Sequence, residues 1–235
     1  MEKTTVVRIE QLPEAVIFDF DGVIADTEPL HCEAFRRVLE PLGIRFTWQE
    51  YVDAYMGFDD RDAFREAFRA HGRFLEDRRL PELIVAKSRI FGGIVRDGVA
   101  SYPGAVPAIE ALHAAGVPLA ICSGALRADL EPILSRLGVA HCFLHVVSAD
   151  DVRKGKPDPE GYLLAYRMLS SSRPEALSLP MRCLAVEDTP AGVEAAKRAG
   201  LSVLAVTNSS PAEHLAGADY VARSLADVRF AGMPR

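Results

Sequence analysis

Short apolar runs alternate along the chain with segments whose apolar residues recur every three or four positions. Residues 15–18 form the first run. Others follow at 117–122 ("VPLAIC"), 145–148 ("HVVS"), 183–186 ("CLAV"), 201–206 ("LSVLAV") and 220–222. Their shortness, and the absence of polar alternation, predict strands buried on both faces. Helical patterns separate them. "RADLEPILSRLG" puts Leu130, Ile133, Leu134 and Leu137 on one face, with Gly138 where a terminating glycine belongs. "PAGVEAAKRAG" opens on Pro190 and closes at Gly200. Strands alternating with helices of this length predict βαβ units, and hence an α/β fold with a parallel, helix-flanked sheet.

Residues 26–95 break that rhythm and contain no convincing strand. Leu30, Ala34, Phe35, Val38 and Leu39 share one helical face. Thr47 with Glu50 three residues on is a capping-box pattern that opens a second helix. Ala63, Phe64, Ala67 and Phe68 mark a third, closed by Gly72. Leu83, Ile84, Ile90, Phe91, Ile94 and Val95 predict a fourth, weakened by Gly92 and Gly93. The pattern therefore divides the chain into an α/β core, residues 1–25 and 96–235, and an all-helical insert at 26–95.

Composition narrows the function classes. The 235 residues suit one domain carrying an insertion. A net charge of −6 gives no basic field for nucleic acid or an anionic membrane, so an anionic substrate must be held by local donors or a metal. Cys32, Cys122, Cys142 and Cys183 form no C-x-x-C, and no Cys/His spacing resembles a zinc site. Free thiols, no signal-peptide core in "MEKTTVVRIE" and no run of membrane-spanning length together predict a cytoplasmic protein.

The candidate chemistry sits at the strand ends. In "FDFDG", Asp19 and Asp21 are two residues apart and can project to the same side of an extended strand. The carboxyl ends of strands in open α/β sheets are where ligands bind. Two carboxylates there repel unless one is protonated or a divalent cation joins them, and Mg²⁺ suits an oxygen site beside a phosphate. Ser123 follows the "LAIC" run, where its hydroxyl and the N–H groups of Gly124 and Ala125 can hold phosphate oxygens. Lys156, in "KGKPDP", can neutralise a carboxylate–phosphate cluster. Glu187 and Asp188 follow "CLAV" in "EDTP". Each also has a plain structural reading: Ser123 and Asp188 as helix caps, Lys156 as a solvated loop residue. Four such features at successive strand ends favour a shared site.

In this order the four motifs resemble those of the haloacid dehalogenase (HAD) superfamily: D-x-D-G, a serine or threonine after a sheet strand, the lysine of G-K-P, and an acidic pair. The resemblance covers nearly the whole chain, and the helical insert is similar to the family's small α-helical cap on a Rossmann-like core. "DTEPLH" at 26–31 further resembles the branch containing β-phosphoglucomutase and sugar-phosphate phosphatases. It implies that Asp19 attacks phosphorus to form an aspartyl-phosphate, while Asp21 protonates the leaving oxygen and then deprotonates water. It further implies Mg²⁺ held by Asp19, the Asp21 main-chain carbonyl and Asp188, with Glu187 a ligand directly or through water. Ser123, Gly124 and Lys156 would stabilise the phosphoryl oxygens. Family dehalogenases lack an acid two residues after the nucleophile, so Asp21 favours phosphoryl transfer.

The cap is expected to choose the substrate. If Gly57 is aligned with the mutase's loop glycine, Met56 falls where the mutase has lysine and Asp60 where it has a phosphate-binding arginine. "ALR" at 125–127 replaces its Ser-Lys-Asn. These departures weigh against a mutase, which must grip a second phosphate. A phosphonatase needs a cap lysine for a Schiff base, and the cap has none before Lys87. The reading is a monomeric Mg²⁺-dependent phosphomonoesterase acting on a small phosphorylated metabolite, a sugar phosphate, with His31, Arg61 and Arg127 as leaving-group contacts. The alternatives are a phosphosugar mutase and a non-catalytic binding protein on the same scaffold. The "SSSRPEALSLP" segment is long for a helix-to-strand connection and has no functional reading.

Overall fold

A computed structural model describes residues 6–56, 58–96, 98–175 and 177–232. Gly57, on which the mutase alignment pivots, lies outside them. The predicted parallel sheet is present. Its strands are β2 (Val16–Phe18), β3 (Leu119–Cys122), β4 (His145–Val147), β5 (Leu184–Glu187), β6 (Ser202–Val206) and β7 (Tyr220–Ala222), in the order β4-β3-β2-β5-β6-β7. Every neighbouring pair runs parallel. The first of these strands lies in the middle, so the chain winds outward on both sides of β2, and the carboxyl ends of β2, β3 and β5 open onto one crevice.

Alternation along the strands explains the two buried layers. Phe18, Ile121, Val186 and Leu204 face one apolar layer, which α5 (Ala105–Ala114) and α6 (Arg127–Arg136) cover. Ile17, Ala120, Ala185 and Val203 face the other, under α7 (Glu160–Ser172) and α8 (Pro190–Arg198). A strand buried on both faces needs continuous apolar sequence, which is why these runs stood out. One further pair escaped the pattern. β1 (Val7–Ile9) and β8 (Val228–Phe230) form a separate two-stranded parallel sheet. Each alternates apolar and charged residues over only three positions, too short a period to read.

The segment between β2 and α5 holds α1 (Glu28–Leu39), α2 (Trp48–Ala54), α3 (Asp60–Ala70) and α4 (Leu80–Val95), with no named strand among its described residues. Thr47 and Glu50 form both halves of the capping box at α2. The four helices enclose their own apolar cluster around Phe35, Phe64 and Phe68. Near the end of α4, Phe91 and Val95 join the core's apolar layer, as does Ala34 of α1, so two helices anchor the insert to the sheet. Among the described residues no helix is long and apolar enough to cross a membrane.

The long "SSSRPEALSLP" connection is partly helical. α7 continues through Ser172, and a 3₁₀ turn at Pro180–Arg182 leads into β5. Glu14 fixes the intervening chain by accepting from the Ser178 N–H at 2.6 Å and pairing with Arg182 at 2.9 Å.

Candidate active site

The carboxyl end of β2 carries Asp19 into the crevice, and the chain then turns sharply. Gly22 makes that turn possible in two ways. Its φ is +76°, and an ideal Cβ there would lie 1.8 Å from Asp188 Oδ2. Asn208 donates to the Gly22 carbonyl at 2.7 Å and holds the loop from β6's side. The turn brings Asp21 back beside Asp19, and both line one cavity of about 40 Å³ with Glu28, His31, Asp60 and Lys156.

Lys156 joins the separate crossovers. Its Nζ lies 2.8 Å from Asp19 and 2.6 Å from Glu187. Burial alone would lower its pKa, but the Asp19 and Glu187 charges outweigh burial and raise it, so the ammonium is held charged. Glu187 ends β5 on the side facing α7, where Tyr162 donates to it at 2.6 Å. Its other oxygen accepts from the Asp188 N–H at 3.1 Å. Gly192 leaves the room this carboxylate occupies, since an ideal Cβ there would lie 2.0 Å from Glu187 Cδ. Glu187 thus anchors Lys156 as well as standing in the acidic group.

Asp188 is placed differently. It is fully buried, and among the described residues neither carboxylate oxygen has a well-formed hydrogen bond, although the Ser209 hydroxyl stands near enough to oppose the rise in its pKa. Burial, then the Asp19 and Glu187 charges, push its pKa far above the usual carboxylate range. Ligand oxygens of Asp19, Glu187 and Asp188 lie within 4.8 Å of one another. A buried carboxylate without a well-formed hydrogen bond, beside two more, fits a divalent cation as the missing partner.

Asp21 is held from the helical insert. His31 Nε2 stands 3.1 Å from its Oδ1, and the Thr27 hydroxyl donates to the same oxygen. Thr27 precedes α1 without capping it, because its hydroxyl is spent on Asp21. Burial raises the Asp21 pKa, but His31's charge and hydrogen bond, then Thr27 and Lys87, outweigh it and bring it to about 2. Behind His31, the fully buried Lys87 Nζ lies 2.6 Å from Nδ1 and 2.8 Å from Asp60. Sequence reasoning gave Thr27, Lys87, Tyr162, Glu28 and Asn208 no positive part here. The T-x-x-x-H spacing, one helical turn, was the available signal for Thr27 and His31. The others come from distant elements and carry no local mark.

Ser123 sits at the end of β3. Its Oγ accepts from the Ala125 N–H at 3.0 Å and donates to Asp21 at 3.3 Å. Gly124 lines the cavity, and cap residue Asp59 packs against it, 3.7 Å from where a Cβ would stand.

Two expected substrate contacts are not at the cavity wall. Arg61 donates to Asp59 at 2.6 Å and to the Val152 carbonyl at 3.1 Å, so it bridges insert and core. The buried Asp59 carboxylate sits where it takes the guanidinium first. Arg127 pairs with Asp151 at 2.6 Å and donates to the Val146 carbonyl at 2.9 Å, beside β4. Neither lines the cavity among its described residues. His31 does, but Asp21 and Lys87 engage both of its ring nitrogens.

Fold, insert and strand-end carboxylates together define a capped α/β hydrolase. The chain belongs to the haloacid dehalogenase-like hydrolase family, whose profile matches residues 16–206. It is 35% identical over 193 residues to a phosphorylated carbohydrates phosphatase of Thermotoga maritima, covering 80% of this chain and 82% of that protein. It is 30% identical over 218 residues to validoxylamine A 7'-phosphate phosphatase of Streptomyces hygroscopicus subsp. limoneus, covering 92% and 96%. Among solved structures it is similar to CbbY from Rhodobacter sphaeroides in complex with phosphate. There the TM-score is 0.79 at 28% identity, over 91% of this chain and 95% of that one.

Proposed function

We propose that the chain is a Mg²⁺-dependent phosphatase of small phosphorylated metabolites, with a sugar phosphate as substrate and an aspartyl-phosphate intermediate. One observation carries it: Asp19, anchored by Lys156, stands beside a buried Asp188 carboxylate with no well-formed hydrogen bond among the described residues. The similarity to a carbohydrate-phosphate phosphatase supports the substrate class.

In this reading an Asp19 oxygen attacks phosphorus and the bond to the leaving oxygen breaks. Asp21, which its present contacts keep ionised, must take up a proton from solvent or from the phosphate monoanion as the substrate enters; it passes that proton to the leaving oxygen, then takes one from the water that cleaves the acyl phosphate. Thr27 and His31 fix the Asp21 carboxylate for both transfers. Ser123, the Gly124 N–H and Lys156 bind the phosphoryl oxygens and stabilise their charge. Asp19, Asp188, the Asp21 carbonyl and Glu187, directly or through water, would hold Mg²⁺. When bound, it supplies charge neutralisation between phosphate and carboxylates. The cavity holds only a few waters, so the insert, Asp59 and Arg61 included, must lift from the core to admit a sugar phosphate.

The wall facing the leaving group argues for hydrolysis over mutase chemistry. It presents Glu28, Tyr51 and Asp60, and among the described residues no donor reaches the buried Asp60 Oδ2. Lys87 is committed to Asp60 and His31. A second phosphate placed there would meet carboxylates, whereas sugar hydroxyls would donate to them.

The test is phosphate release from a panel of phosphorylated sugars and polyols, with Mg²⁺ and with chelator. Mg²⁺-dependent release, lost in Asp19→Asn, is expected. Conversion of β-glucose 1-phosphate to glucose 6-phosphate with little free phosphate would replace this reading with the mutase. Metal-independent binding without turnover of any ester would replace it with a binding protein.

A further inference from the structure

A second group of metal-ligating side chains lies at the other end of the sheet. His113 is in the last turn of α5, just before β3 begins, and His141 and Cys142 lie on the 3₁₀ turn that leads into β4. They therefore gather at the amino ends of two strands whose carboxyl ends lead to Ser123 and Lys156. The His113 and His141 rings meet edge to face with centroids 5.5 Å apart. One ligand atom from each histidine and the Cys142 sulfur all lie within 4.8 Å of one another.

The spacing suits one ion. Cys142 Sγ is 3.6 Å from His141 Nε2. A tetrahedral Zn²⁺ with bonds of about 2.0 Å to nitrogen and about 2.3 Å to sulfur sets those two atoms about 3.5 Å apart. Both histidines are exposed, which leaves an entry path, while Cys142 is buried beneath them. Glu110 precedes His113 by one helical turn and stands on the same face.

We propose that His113, His141 and Cys142 form a second metal site that takes a borderline-soft divalent ion, Zn²⁺, with Glu110 or water in the fourth position. Two imidazoles and a thiolate select such an ion, whereas the all-oxygen group at Asp19 and Asp188 suits Mg²⁺, so the two sites do not compete for one metal. On binding, the Cys142 S–H bond breaks, its proton passes to solvent and the sulfur bonds the metal. The ion clips the end of α5 to the turn before β4, adding a crosslink beside the β3–β4 pairing.

The full chain, freed of metal and held in excess Mg²⁺, is titrated with Co²⁺ as the spectroscopic stand-in. One equivalent should produce a thiolate-to-cobalt charge-transfer band with tetrahedral d–d bands, and Zn²⁺ should displace it and raise the melting temperature. His113→Ala and Cys142→Ser should each abolish the band and weaken Zn²⁺ binding at least tenfold. Cys122→Ser and Cys183→Ala should retain it. Exposed His113 is the decisive variant, because its removal leaves the core packed, as far-ultraviolet circular dichroism checks. No thiolate band in the parent protein, or a band that survives His113→Ala, overturns the site.

Discussion

The Asp21 carboxylate, on the core, is 3.1 Å from the Nε2 of His31, on the first helix of the insert. Insert and proposed general acid–base are therefore in direct contact, and the imidazole fixes which way Asp21 points. His31→Ala leaves Asp21 with the Thr27 and Ser123 hydroxyls alone. We expect kcat to fall about 10- to 100-fold, with a smaller change in KM, against about 10²- to 10⁴-fold for Asp21→Asn. The double variant should be no slower than Asp21→Asn, because a positioning residue has nothing left to position. Steady-state kinetics on the best substrate of the panel check this.

Lys87 has no solvent exposure, and its ammonium is held by Asp60 and by His31. Lys87→Met leaves the Asp60 charge buried and unpaired, and should cost about 3–5 kcal/mol in urea unfolding. Adding Asp60→Leu removes the stranded charge and should return most of that loss. A double variant as unstable as the single one would mean that Lys87 acts through its packing against Phe35 and Phe91 instead.

The sheet was legible because each strand of its interior is buried on both faces, so its sequence is a continuous apolar run that ends at the crevice. β1 and β8 lacked that signature: with only three residues each, nothing separated them from loop. That Asp19, Ser123 and Asp188 face the crevice was legible because each directly follows such a strand; Asp21, three residues past β2, and Lys156, nine past β4, were marked only by their motifs. The placement of Arg61 and Arg127 was not legible. An arginine near a site reads as a ligand contact, but its partner is set by the nearest carboxylate in space. Those carboxylates, Asp59 and Asp151, belong to a cap helix end and a 3₁₀ turn whose docking no local pattern encodes. The same holds for His113, which meets His141 and Cys142 across 28 residues of chain only because β3 and β4 pair.

Glycine-to-alanine changes should have opposite signs at two places. Gly22 has φ +76°, and a Cβ there would collide with Asp188 Oδ2 and the Ser209 hydroxyl. Gly22→Ala should therefore destabilise by more than about 4 kcal/mol and abolish Mg²⁺ binding, since the carboxylate that must move is a proposed ligand. Gly92 and Gly93 lie inside α4, exposed, with nothing within 4 Å of an added Cβ. Alanine at either should stabilise by about 0.5–1 kcal/mol by helix propensity. Thermal unfolding with and without Mg²⁺ measures both.

Asp188 is buried beside Asp19 and Glu187, and among the described residues neither of its oxygens has a well-formed hydrogen bond. Without a metal, that arrangement opposes folding: the group is desolvated, and its neighbours carry like charge. Asp188→Asn relieves the repulsion with little change of shape, so in chelator it should stabilise the fold by about 1–3 kcal/mol. Mg²⁺ should reverse the order. On the proposed reading it should bind the native parent and not its unfolded chain, raising the parent's stability as the free ion exceeds its dissociation constant. The variant, with one ligand charge removed, should gain much less. Melting curves of both proteins across a Mg²⁺ series should therefore cross. Curves that stay parallel, with the variant equally responsive to Mg²⁺, would place the metal away from Asp188 and leave its buried carboxylate without a partner.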